Sequence, residues 1–261
     1  PPPPPPPPPP FFFHPDPATR DAQESRGLGD VYKRQVYLIH EPMAAAIGIG
    51  VDINQPKGNM IIDIGGGTTE IAVIALSGIV CDKSVKIAGD VFTNDIIYYM
   101  RTQHNLFIGE RTAERVKITV GSASEELDNP PDDMSVQGRD LLSGKPKEIL
   151  ISYREIQKAI DKSIIRIEDS VMETLSQTPP ELAADIYNSG IYLAGGGSML
   201  RGLDKRLSQK TELPIFIAED PLTCVVMGTG QALEEKSRLS DVFASDSVSY
   251  THLTLPTNRE V

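Results

Sequence analysis

Cysteine is nearly absent from this 261-residue chain. Cys81 and Cys224 stand far apart with no CxxC spacing, which excludes a disulfide framework or a cysteine zinc site and suits a reducing cytosol. A basic surplus is absent too, since 25 Lys and Arg face 36 Asp and Glu for a formal net charge of -11. Nucleic acid is thereby excluded as the main partner, because a phosphate backbone demands a positive face. A simple polybasic membrane patch is excluded on the same ground. No run approaches the roughly 18 apolar residues of a membrane span, and no hydrophobic signal core is visible. The histidines are scattered, so His40 and His104 read as surface or packing residues rather than ligands.

Proline, by contrast, is in excess at the start. Ten prolines and Phe11-Phe12-Phe13 open the chain, and no packed domain begins that way. Residues 1–35 and 247–261 are expected to be non-native flanks of adaptor or linker type. The alternative is a genuine proline-rich linker in extended polyproline conformation. Acidic and basic residues cancel within these ends, so the acidity belongs to 36–246, which is long enough to bury a proper core.

The remaining chain is organised around Asp63-Ile64-Gly65-Gly66-Gly67-Thr68-Thr69-Glu70, preceded by the apolar run Met60-Ile61-Ile62. An apolar run ending in an acid and three glycines predicts a buried strand and a tight turn, with Ile71 to Leu76 running back. Consecutive amides without Cβ atoms can form an anion-binding concavity, and phosphate is the obvious guest. Thr68 and Thr69 would add hydroxyls at the rim, and Asp63 is placed to hold the waters of a Mg2+ ion. The structural explanation is a hairpin that needs glycine for positive φ. The acid before and the threonines after favour phosphate.

Taken in order, Val36 to Ile39 is a β-type run, and Glu41-Pro42 opens a helix through Gly48, with proline tolerated at its start. Glu41 thus sits at a strand-to-helix junction; on this segment alone, complementing the helix dipole explains it. A third strand is expected over Ile79–Ile87, completing a meander. Gly89-Asp90 starts a helix with Ile96, Ile97, Met100 and Leu106 on one side, and Gly109 starts another. In the latter, Glu114 and Lys117 share a face and can reach one ligand together or pair with each other. Pro130-Pro131 mark a loop, and strands over Met134–Asp140 and Lys147–Ser152 flank a Ser143-Gly144-Lys145-Pro146 turn. Ile156, Ile160, Ile164, Ile167, Val171 and Leu175 then form one helical stripe, stopped at Pro179-Pro180. After a short helix over Glu181–Asn188, the strand Ile191 to Ala194 runs into Gly195-Gly196-Gly197-Ser198, a second place where phosphate or a flat base can lie against bare backbone. A helix over Met199–Gln209, a strand over Pro214–Ala218 and a final helix rich in small residues complete the pattern.

Four stretches carry a resemblance: Glu41 to Gly48, Asp63 to Glu70, Thr112 to Lys117 and Ala194 to Leu200. In this order they resemble the actin-like ATPase superfamily, and Gly138 to Pro146 with Glu219 to Cys224 resemble its bacterial branch that determines rod shape. The resemblance covers essentially all of 36–235. It implies an α/β fold, an actin-like ATPase domain of ribonuclease H-like type with a smaller α+β insertion subdomain. The implied parts are a connecting helix at 36–55, a second-domain core at 56–91 and 153–224, an insertion at 92–152 and a return helix at 225–246.

The resemblance also implies ATP and Mg2+ as cofactors. Asp63 would lie near the metal, and Gly65, Gly66, Gly67, Thr68 and Thr69 would form the second phosphate loop. Thr68 and Glu41 would place the attacking water, Glu114 and Lys117 would face ribose and adenine, and Gly195, Gly196, Gly197 and Ser198 would close over the adenosine. Implied partners are further copies of itself in filaments and, through the full-length protein, the cell-wall elongation machinery and inner-membrane surface, with a cytoplasmic, membrane-associated location. The resemblance implies slow ATP hydrolysis by the full-length parent; the family's first phosphate loop has no counterpart upstream of Glu41, so weak nucleotide binding with little or no turnover is expected of this chain. An ATP-dependent chaperone and a small-molecule kinase of the same superfamily are the alternatives.

Overall fold

The computed structural model describes residues 37–243. Two compact units divide the chain, Pro1–Leu38 and Ile39–Val261, and every element below belongs to the second. The non-native flanks expected at 1–35 and 247–261 lie outside the described residues. So does Val36, and among the described residues of that β-type run only Ile39 makes a ladder contact, a single antiparallel bridge to Phe243.

Strands β1 (Asn59–Ile64), β2 (Thr69–Ala75) and β3 (Gly78–Val85) form the expected antiparallel meander. Leu76 and Ser77, at φ 50° and 60°, turn β2 into β3 with the two left-handed residues that a tight hairpin requires. The third strand stops two residues short of the expectation, and the carbonyl of Ile87 instead accepts the Thr69 hydroxyl at 2.7 Å. Strands β7 (Ile191–Ala194) and β8 (Ile215–Ile217) extend the sheet in parallel, giving the order β3-β2-β1-β7-β8. All of β1 is buried, whereas edge strand β3 alternates between exposed and half-buried.

Strand alternation divides the core in two. Met60, Ile62, Ile64, Ile71 and Val73 join helices α2 (Gly89–His104) and α4 (Tyr153–Gln177) on one face. Ile61, Ala72, Ile74 and Ala194 meet α1 (Glu41–Ile49) and α7 (Cys224–Glu234) on the other. The α4 stripe is buried from Ile156 to Val171, and the Glu155 carboxylate caps its start by accepting the Ser152 amide at 3.0 Å. Helices α1 and α7 touch backbone to backbone: a Cβ on Gly48 would overlap the Cys224 carbonyl, and one on Gly228 the Ala44 carbonyl.

Between α2 and α4 the chain forms a second antiparallel sheet, β4 (Leu106–Phe107), β5 (Met134–Asp140) and β6 (Pro146–Ile151), and the helix α3 (Glu110–Val120). Leu106 is not on α2 as expected. Asn105 ends that helix at φ 51°, a left-handed conformation that asparagine tolerates, and Leu106 starts β4 while remaining in the same core. The helix expected from Met199 also begins late: Gly196–Met199 is a 3-10 turn, Gly202 is left-handed at φ 73°, and α6 (Leu203–Thr211) follows. Helix α5 (Pro180–Ser189) lies where a short helix is expected. Among the described residues no helix is long and apolar enough to cross a membrane.

Candidate functional site

Parallel pairing of β1 with β7 sets Asp63 directly beside Ala194, so both glycine turns leave the same end of the sheet. The carboxyl ends of neighbouring parallel strands are where α/β sheets hold ligands. Gly195 follows at φ 78°, and a Cβ on it would collide with Asp63 Oδ1 and the Ile64 carbonyl. Gly197 presses on the Ile64 side chain in the same way. These two glycines are required by close packing.

The first glycine turn differs. None of Gly65, Gly66 and Gly67 has a left-handed φ. A Cβ on Gly65 or Gly66 would meet its nearest described neighbour at 3.5 or 3.7 Å, and one on Gly67 would meet nothing within 4 Å. Neither backbone conformation nor packing against the described residues demands glycine here. The Gly65 amide closes the turn on the Thr68 carbonyl at 3.0 Å, with Gly66 and Gly67 exposed and Thr68 half-buried. Thr69 is not brought to the rim: it is fully buried, and its hydroxyl is committed to Ile87. Ser198 is likewise buried, donating to the Gly195 carbonyl at 2.7 Å.

The start of α2 is hung on the same turn. The amides of Gly89 and Asp90 donate to the carbonyls of Gly65 and Gly66 at 3.1 and 2.8 Å. Lys117 reaches across from α3 to the Gly89 carbonyl (2.8 Å), the Thr93 hydroxyl (3.0 Å) and Glu114 Oε2 (2.7 Å), which occupies all three of its donors. Of the two readings of the Glu114–Lys117 spacing, the structure shows the pairing, and it ties Lys117 to Gly89, whose amide is bonded to the glycine turn. Burial acts to raise the Glu114 carboxyl, but hydrogen bonds from Lys117 and Thr93 hold it below the usual carboxylate range. The end of α3 is tied to the second glycine segment, where the Ala123 amide donates to Arg201 O at 2.8 Å and Arg201 Nη1 to Ile118 O at 3.0 Å.

Asp63 dominates the electrostatics. It is 3% exposed, and its Oδ2 has no hydrogen-bond partner. Burial, followed by the charges of Glu41 and Glu70, pushes its carboxyl up to about 6. Glu41 is exposed at the first turn of α1, near enough to act on Asp63. A buried, unpartnered carboxylate oxygen fits a cation or a cation-bound water. Among the described residues no three acidic, histidine or cysteine side chains converge on one metal position.

Two residues near the turn escaped the sequence reading. Glu70 is the direct cross-strand partner of Asp63, and Asp90 carries its carboxylate oxygens 3.7 Å from the Cβ position of Gly66. Counting outward from the glycine turn finds Glu70, since 64 pairs with 69 and 63 with 70. No local signal finds Asp90, whose place depends on how α2 docks.

A family profile described as MreB/Mbl protein matches residues 18–241. The cell shape-determining protein Mbl of Bacillus subtilis is 42% identical over 85% of this chain and 65% of its own length. The cell shape-determining protein MreB of Escherichia coli K12 is 48% identical over 83% of the chain and 60% of its own. The chain thus spans about three fifths of the length of the curated relatives it matches. Among solved structures, MreB5 of Spiroplasma citri bound to AMPPNP aligns with TM-score 0.78 at 41% identity, covering 84% of this chain and 66% of that one.

Proposed function

This chain belongs to the MreB/Mbl family, and on that premise we propose that it binds ATP with Mg2+ at its glycine turns and that the complete protein polymerises into filaments organising cell-wall synthesis. Membership places it among actin-like, cell shape-determining cytoskeletal proteins, in preference to the chaperone and kinase alternatives. The observation that carries the nucleotide reading is the unexplained bareness of Gly65, Gly66 and Gly67. With no positive φ and no atom of the described residues to avoid, an absent Cβ serves the close approach of something else, and the consecutive amides of exposed Gly66 and Gly67 suit phosphate. The nucleotide analogue bound by the related S. citri protein supports the same reading.

In this proposal Asp63 holds Mg2+ through water, the Gly66 and Gly67 amides hold phosphate oxygens, and Gly65, whose amide closes the turn on Thr68, contributes bare backbone for the approach. Glu41 and Thr68 orient the attacking water, while buried Thr69 braces the turn from beneath. Glu114 and Lys117 stand on the ribose and adenine side, and Gly195, Gly196, Gly197 and Ser198 line the adenosine side. The metal supplies positive charge against the phosphates, and the protein acts chiefly by positioning. We extend the proposal to a second-domain core at 56–91 and 153–224 with an insertion at 92–152, and to a cytoplasmic location at the inner-membrane surface beside the elongation machinery.

Fluorescence anisotropy of a labelled ATP analogue with Mg2+ tests the site. Gly67→Val should weaken binding about tenfold or more by blocking the approach while leaving the melting temperature unchanged, because its Cβ position is open. Unaltered affinity in a folded Gly67→Val protein would overturn the reading.

A further inference from the structure

Strands β1 and β2 set two carboxylates against each other. Asp63 and Glu70 are direct partners in the antiparallel ladder, and both fall in the alternation of Ile61, Ala72 and Ile74, which face the α1–α7 core. Side chains so opposed have Cβ atoms roughly 4.5–5.5 Å apart, and like charges there are destabilising. Glu41 adds a third negative charge from the start of α1. Among the described residues no lysine or arginine pairs with any of the three; the ion pairs join other groups.

Each carboxylate is nonetheless held. Glu70 Oε1 accepts the Ser84 hydroxyl at 2.6 Å across the β2–β3 ladder. Asp63 is enclosed by Gly195, whose missing Cβ leaves the room that Oδ1 occupies, while Oδ2 stays buried and unpartnered. A fold that places like charges opposite one another, fixes both and leaves an inner oxygen unsatisfied is arranged for a positive guest.

We propose that Glu70 is the second carboxylate of a hydrated divalent-cation site whose first is Asp63. The inference rests on the reading of Asp63 as the metal-side residue and adds what that reading lacks, an acid from the opposite strand. One carboxylate can take water from a hexahydrated ion in many orientations. Two from opposed strands fix the ion's place along the hairpin, and Ser84 fixes the second of them. Glu70 acts through the ion's water shell and is a positioning residue.

The test uses the nucleotide-free chain with Mn2+ as probe, read by water-proton relaxation, with Mg2+ as competitor. Glu70→Gln keeps an acceptor for Ser84 and should weaken Mn2+ binding about tenfold, the scale of outer-shell substitutions at metal sites. The same variant should melt higher than wild type in EDTA, because the opposed charges are gone, and should gain less from added metal. Wild-type affinity in Glu70→Gln, with loss in Asp63→Asn, overturns the role of Glu70 and leaves Asp63 standing. A wild-type chain with no Mg2+-competed Mn2+ site overturns both. Should Glu70→Gln fail to fold, Ser84→Ala releases the carboxylate without removing its charge. A drop in Mn2+ affinity there supports the proposal, and wild-type affinity overturns it.

Discussion

Asp63 shows how far one side chain can set the behaviour of a site. Its carboxyl lies at about 6 in the fold against the 3.8 of an ordinary aspartate, so between these values the native state holds a proton that the unfolded chain has released. Stability contributed by this group is therefore greatest at low pH and is lost as pH rises from about 4 to about 6, at a cost of roughly 3 kcal/mol above that window. In EDTA, Asp63→Asn should melt higher than wild type at pH 7. The difference should shrink as pH falls toward 4 and stay flat above about 6.5; thermal denaturation across that range measures it. The glycines give a second contrast. Gly195→Ala combines a left-handed φ with collision against Asp63 and Ile64, and should cost about 3 kcal/mol. Gly67→Ala should stay within about 0.5 kcal/mol, so chemical denaturation of the pair separates a glycine that packing requires from one that it does not.

Between elements, the α1–α7 crossing and the α4–α6 junction are held by opposite devices. The first depends on missing atoms. Gly228→Ala would add about 1 kcal/mol of helix propensity, but its Cβ would enter the Ala44 carbonyl, a backbone atom that cannot turn aside. We expect net destabilisation of about 2 kcal/mol or more by denaturant titration; a stabilised variant would show that the helices can separate freely. The second junction depends on charge. Arg206 of α6 donates to Glu168 at 2.5 Å and Asp161 at 2.7 Å, both on α4, and to the Ala123 carbonyl at 2.9 Å. Glu168 is deeply buried, so Arg206→Met would strand its charge at a cost of about 3 kcal/mol, read as a lowered denaturation midpoint.

At the scale of the whole described molecule, one core runs from the five-stranded sheet through α2, α3 and α4 to Val136 and Ile151 of the small sheet. The small sheet is thus fastened to the large one by apolar packing, and α3 is held to the start of α2 by Lys117 as well. If the complete protein assembles as proposed, it should sediment in ATP with Mg2+ and remain in solution without nucleotide. Gly67→Val should reduce the pelleted fraction several-fold. Pelleting that ignores nucleotide would separate assembly from this site.

Sequence by itself determined the elements and the chemistry that local order encodes. The meander, the α4 stripe, the Glu41-Pro42 helix start and both glycine turns were legible because periodicity, proline and glycine act within a few residues. Legibility failed where a local signal was weak or a distant atom decided. Asn105 and Gly202 ended or delayed helices that the apolar pattern continued, because a single left-handed residue outweighs periodicity. Only the tertiary structure decided that β1 and β7 run parallel with Asp63 beside Ala194, that Lys117 is tied to Gly89, and that Thr69 and Ser198 turn inward. It alone separated the glycines that packing requires from those it does not. Pairing, burial and close approach are relations between residues far apart in the chain, and they acquire values only when the chain closes on itself.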